Sequence, residues 1–265
     1  MARIELVLFP FVSITASECG VPPANPPKKM SMNPLCHPLI RVGMFLALAG
    51  SAMGADAPQQ DWPNLARYRD QNALLAKPAP GEKRVVFMGD SITDAWPSVG
   101  SFFPGKGYIC RGISGQTTPQ MLIRFRPDVI DLRPAVVLIL AGTNDVAGNT
   151  GPATPEFTEG NLASMAELAR ANGIKVVLSS ILPAFDYPWR PGMEPAGKIV
   201  ALNTWIKAYA AANGFTYLDY FSAMVDGRDG MRAEYSQDGV HPNAAGYAVM
   251  EPLAQKAIAE ALASK

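Results

Sequence analysis

Five short apolar runs, each separated from the next by a segment of helical period, constrain this chain more than any other feature. The runs lie at 84–88 (RVVFM), 108–110 (YIC), 135–140 (AVVLIL), 175–180 (KVVLSS) and 215–218 (FTYL). Four of them are rich in Val, Ile or aromatic residues, the pattern of parallel strands buried on both faces. Helical period fills 119–132, 155–171, 194–212 and 243–262, and Asn172-Gly173 and Asn213-Gly214 close two of these helices with residues that tolerate a left-handed cap. A further amphipathic stretch at 62–76 precedes the first run. Alternation of this kind predicts one α/β domain, a parallel sheet covered by helices on both faces.

In such sheets ligands bind beyond the carboxyl ends of the strands, where the strand order reverses. The loops after the strands are therefore where chemistry should lie. GDSITDAW follows the first run, with Gly89 permitting a tight turn and Ser91 offering a hydroxyl. RGISGQTT follows the second, where Gly112 and Gly115 expose backbone N–H groups, and AGTNDVAG follows the third, bringing the carboxamide of Asn144. DGVHP precedes the last helix and supplies Asp238 and His241.

These are the parts that acyl transfer needs. A serine hydroxyl is a weak nucleophile until a base takes its proton; His241 is a candidate base, and Asp238 can hold its tautomer and stabilise the imidazolium. Residues three apart in a turn come within about 7 Å at their Cα atoms. Gly239 makes such a turn easy. The amides of Ser91 and Gly115 and the side chain of Asn144 are candidate donors to the oxygen on which charge develops.

The first 54 residues read differently. A Pro-rich CGVPPANPPKK precedes a basic residue, an apolar run and the small residues Ala52 and Gly54, the pattern of a secretory signal cleaved after Gly54, with Met30 or Met32 as the start. The apolar run is shorter than the roughly 20 residues that span a bilayer. The expectation is a secreted or periplasmic protein without stable membrane insertion, its domain occupying 55–265. Four of the 23 basic and two of the 23 acidic residues fall in the leader, which leaves 19 against 21 and no basic stripe for nucleic acid. Cys19, Cys36 and His37 fall there too. Cys110 then stands alone, without an intramolecular disulfide, and His241 is the one histidine of the domain.

GDSIT, SGQTT, GTND and DGVHP, in that order, resemble the four sequence blocks of the SGNH hydrolases, also called GDSL esterases. The resemblance spans nearly all of the domain, from Lys83 to the terminal helix. It implies a three-layer αβα sandwich with a flavodoxin-like sheet of five parallel strands, and no metal or organic cofactor. It makes Ser91 the nucleophile, Gly115 and Asn144 the oxyanion-hole partners of the Ser91 amide, and His241 the base supported by Asp238. Gly115 is preferred to Gly112 because SGQTT matches its block better than RGI does. Cys110 stands where related esterases often carry asparagine, so a local hydrogen bond is expected to be missing.

Several bland roles compete with these. Ser91 has the alternative of being a helix N-cap, Asn144 and Asp145 of forming an Asx turn that holds their loop, and Asn243 reads as the cap of the last helix. Ser114 is a rival nucleophile without G-x-S-x-G spacing. Trp96, Phe102, Phe103, Phe185, Tyr187 and Trp189 offer either a platform for a sugar ring or acyl chain, or ordinary packing. The expected activity is hydrolysis of short acyl esters, acetyl foremost, of a small-molecule or saccharide substrate. Alternatives are a lysophospholipase or thioesterase on longer chains, and a non-catalytic sugar-binding module. A nucleotide-binding module is disfavoured, since neither G-x-G-x-x-G after the first run nor G-x-x-x-x-G-K-[ST] occurs.

Overall fold

The computed structural model describes residues 61–99 and 102–264; the leader read at 1–54 lies outside the described residues. The elements in chain order are α1 (Arg69–Leu74), β1 (Val85–Gly89), α2 (Ser91–Ala95), β2 (Tyr108–Gly112), α3 (Thr118–Asp128), β3 (Val136–Leu140), α4 (Thr143–Val146), α5 (Pro155–Ala171), β4 (Lys175–Ser179), α6 (Pro195–Asn213), β5 (Thr216–Leu218), α7 (Phe221–Met224) and α8 (Ala244–Ala263). The five strands form one parallel sheet in the order β2-β1-β3-β4-β5. This is the flavodoxin-like arrangement, and the order reverses between β1 and β3.

Alternate residues of the central strands feed two separate cores, which is why the strands read as continuous apolar runs. Val86, Met88, Val137, Ile139, Val176 and Leu178 pack with α3, α5 and α6 through Phe125, Met165 and Ile206. Val85, Phe87, Val136, Leu138 and Val177 face the other way, onto α8 through Tyr247, Met250 and Ile258. Trp96, Phe102 and Phe103 belong to this second core. Trp96 is 1% exposed and stacks on Phe102 at 4.9 Å, so ordinary packing is the role of these three rings.

Two expected helices are altered. The stretch 62–76 is helical only in the six residues of α1. Pro63 and Asn64, the latter at φ 56°, together with Asp61 accepting from the Leu65 and Ala66 amides, hold the preceding residues in turns. The single helix expected over 119–132 is α3 followed by a 3-10 turn, Ile130–Leu132. Pro127 removes one N–H from its last turn and Val129 leaves helical geometry.

Candidate active site

The carboxyl ends of β1, β2 and β3 deliver three loops to one rim, and the turn before α8 joins them. Asp90 caps α2, its side chain accepting from the Ile92 amide at 2.9 Å, so the N-cap role weighed for Ser91 belongs to Asp90. Ser91 is thereby the first residue of the helix, with its hydroxyl free to turn outward. Ser91 Oγ lies 2.9 Å from His241 Nε2, and His241 Nδ1 lies 2.7 Å from Asp238 Oδ2. A carboxylate on Nδ1 keeps the proton there and leaves Nε2 to accept from the serine hydroxyl.

The turn that carries the pair is built locally. Gly239 adopts φ 79°, and Asp238 Oδ1 accepts from the Val240 and His241 amides at 2.9 and 2.8 Å and from the Ser236 hydroxyl at 3.0 Å. Burial alone would raise the Asp238 pKa; the hydrogen bonds from the His241 ring and the two amides outweigh it and hold the carboxyl at about 2. Asp238 is therefore an anion throughout the range in which a histidine can act as base. Tyr247 donates to Ile92 O at 2.7 Å and ties α8 to α2, so the segments carrying the His241 imidazole and the Ser91 hydroxyl are joined.

The other two candidates, Gly115 and Asn144, are linked through a shared neighbour, Asn149. Among the described residues the Ser91 and Gly115 amides donate to no protein acceptor. Gly115 sits in an open loop at φ 79°. Gly112 instead ends β2 against α2, where a Cβ would lie 2.1 Å from Asp94 N; its role is close packing. The loop between them is fastened to α2 by Ser114, whose amide and hydroxyl donate to Asp94 Oδ2 at 3.2 and 2.8 Å. That engagement accounts for the rival serine. Asn144 is buried, and one hydrogen of its Nδ2 goes to Gln116 O at 3.0 Å, leaving the other unassigned.

Two neighbouring expectations are corrected. Asp145 holds its loop from a distance rather than through an Asx turn: its buried carboxylate crosses to α3 and accepts from the amide and hydroxyl of Thr118. Cys110 leaves no hydrogen bond missing, because Sγ donates to Thr93 O at 3.2 Å and accepts from the Gly112 amide at 3.5 Å. Asn243 caps α8 as read, accepting from Gly246 N. Of the loop aromatics after β4, Tyr187 is buried, whereas Phe185 and Trp189 are exposed, and the Trp189 ring lies 5.9 Å from that of His241. Ser236, Asn149 and Gln116 were not singled out from the sequence. Of these, only Ser236 has a local signal, a hydroxyl two residues before the Asp of a tight turn.

Asp90 leads to a testable pH effect. Its complete burial raises its pKa from 3.8 to about 7, opposed by the Ile92 amide and the charge of His241 and reinforced by Asp145. Asp145 is itself raised by burial to about 6. The folded state holds these protons more tightly than the unfolded chain, so stability declines as pH rises from the unfolded value through the folded one. Asp90→Asn keeps the capping oxygen and removes one ionisation. The drop in urea midpoint between pH 5 and pH 8 is expected to be smaller in this variant than in the wild type; equal drops would refute the assignment.

Comparison with known proteins agrees with the geometry. Residues 87–249 match the GDSL-like Lipase/Acylhydrolase family. Esterase TesA of Pseudomonas aeruginosa is 36% identical over 183 residues, covering 64% of this chain and 84% of that protein. Lipoprotein YqeF of Bacillus subtilis is 38% identical over 79 residues, 28% of this chain and 32% of that protein, so this match spans about a third of the relative. A crystal structure of a GDSL-like lipase from Bacteroides thetaiotaomicron superposes with a TM-score of 0.74 at 52% identity, covering 75% of this chain and 98% of that one. With its serine following β1, its Asn144 following β3 and its Asp-His turn leading into the last helix, the chain belongs to the GDSL-like lipase/acylhydrolase family, a group of carboxylic ester hydrolases.

Proposed function

We propose that the protein is a serine esterase that removes short acyl groups, acetyl foremost, from a carbohydrate alcohol. The observation that carries the reading is the continuous relay from Ser91 Oγ through His241 to Asp238. Ser91 Oγ attacks the ester carbonyl carbon while its proton passes to His241 Nε2, and Asp238 stabilises the imidazolium. The amides of Ser91 and Gly115 and the second Nδ2 hydrogen of Asn144 receive the negative charge on the carbonyl oxygen. Collapse of the tetrahedral species breaks the bond to the alcohol oxygen, which takes the proton from His241 and leaves an acyl group on Ser91. Water, deprotonated by the same imidazole, attacks that acyl group, releasing the acid and restoring the serine.

The surroundings favour a polar alcohol. A cavity of about 280 Å³ adjoins the relay, walled by Asp238 and by Phe185, Asp186, Asp226, Arg228 and Met231. An alkyl chain lying there would strip water from charges and return no hydrogen bonds, whereas a polyhydroxylated ring can bond them. The exposed ring of Phe185 lines the same cavity, and the exposed ring of Trp189 lies 5.9 Å from that of His241. On p-nitrophenyl acetate, butyrate and octanoate, kcat/KM is expected to fall with chain length, and acetylated oligosaccharides are expected to release acetate. Octanoate as much the best substrate would overturn the short-acyl reading.

A further inference from the structure

Asn149 lies five residues beyond Asn144, is exposed, and belongs to none of the four sequence blocks. Its carboxamide nevertheless joins three parts of the site. Nδ2 donates to Asn144 Oδ1 at 2.8 Å and to Gly115 O at 3.2 Å, while Oδ1 accepts from Trp189 Nε1 at 3.2 Å. The turn that presents it is gripped from outside: Arg190 Nη1 donates to Ala147 O and Gly148 O, and Thr150 Oγ1 lies 3.0 Å from Thr117 Oγ1.

These bonds decide which way two groups point. A side-chain carboxamide can rotate by half a turn, and the flipped Asn144 would turn its oxygen toward Gln116 O and offer the substrate no donor. Asn149 opposes that flip by occupying Oδ1 with an N–H. The same amide group holds the carbonyl of Gly115, fixing the residue whose own N–H is unpartnered. We propose that Asn149 is a positioning residue of the oxyanion pocket, holding Asn144 and Gly115 with their donors toward the substrate, with Trp189 bracing it from the His241 side. The inference rests on the serine-esterase reading above.

Removal of a direct oxyanion donor costs about 100- to 1000-fold in rate; acting through such a donor, Asn149 is expected to be worth about 10- to 100-fold in kcat. The experiment measures kcat and KM on p-nitrophenyl acetate for wild type, Ser91→Ala, Asn144→Ala, Asn149→Ala, Asn149→Asp and the Asn144→Ala/Asn149→Ala pair. Asn149→Ala is expected to lower kcat by that factor with KM within threefold. Asn149→Asp keeps the size and the acceptor for Trp189 but loses both N–H bonds, and should be equally impaired. In the Asn144→Ala background the second substitution is expected to cost less than it does in the wild type, because one of its two targets is gone and only the Gly115 carbonyl remains to be held. Wild-type kcat in either Asn149 variant, a loss confined to KM, or a loss in the pair equal to the product of the two single losses overturns the proposal. An active Ser91→Ala enzyme instead overturns the esterase reading, whatever Asn149 does.

Discussion

Ser91→Ala is expected to lower kcat on p-nitrophenyl acetate by roughly a million-fold, the scale seen where a serine and its base act as a unit. His241→Ala should cost as much, and the two together no more than either, because each alone already abolishes the proton-coupled attack. Asp238→Asn should cost about 10⁴-fold, since the amide no longer enforces the tautomer that leaves Nε2 unprotonated. The geometry sharpens this expectation. Asp238 accepts three further hydrogen bonds at Oδ1, so the asparagine keeps its oxygen there and turns its NH2 toward His241 Nδ1. Mass spectrometry of enzyme quenched during turnover should find the acyl group on the peptide containing Ser91. A Ser91→Ala enzyme within tenfold of wild type would remove the basis of the proposed function.

The second large effect is on stability. Arg124 is fully buried on α3, and its guanidinium donates to Gln116 Oε1 at 2.5 Å, Asp128 Oδ2 at 3.0 Å and Gly89 O at 3.0 Å. Arg124→Met strands the Asp128 carboxylate, whose side chain is 4% exposed, and leaves only the Asn72 amide to meet it at 2.7 Å. Breaking a buried pair by removing one partner costs about 3–5 kcal/mol. In a domain of this size each kcal/mol lowers Tm by about 2–4 °C. Arg124→Met/Asp128→Leu should recover part of the loss, because the uncompensated charge leaves with the aspartate. Activity is expected to fall as well. Gly89 immediately precedes the Asp90-capped turn that carries Ser91, and Gln116 supplies the carbonyl that Asn144 bonds. A loss below 1 kcal/mol in urea unfolding of the single variant would show that the buried pair contributes little.

The sheet was legible because each central strand must satisfy two cores at once, which writes an unbroken apolar run into the chain. Helix α5 occupies the residues its pattern predicts, 155–171, since Pro155 at its start and Asn172-Gly173 at its end are local signals. Helices α2, α4 and α7 were not read, because four or five residues are too few to display a helical period. The site divides in the same way. Ser91, Asn144, Asp238 and His241 stand in compact blocks at the ends of predicted elements. Asn149 and Gln116 act through partners five to 40 positions away in sequence, which no local pattern records. Asp145 shows the same limit, because the residue it holds, Thr118, lies 27 positions upstream.

Ser91 and His241 lie 150 positions apart in sequence, so synthesis separates them in time. A ribosome delivers the hydroxyl of Ser91 and both loops of donors long before it delivers the imidazole, and Tyr247 ties the helix that follows that imidazole to the helix that carries Ser91. On the proposed mechanism, a nascent chain that has not reached residue 241 carries the Ser91 hydroxyl without the imidazole that would activate it.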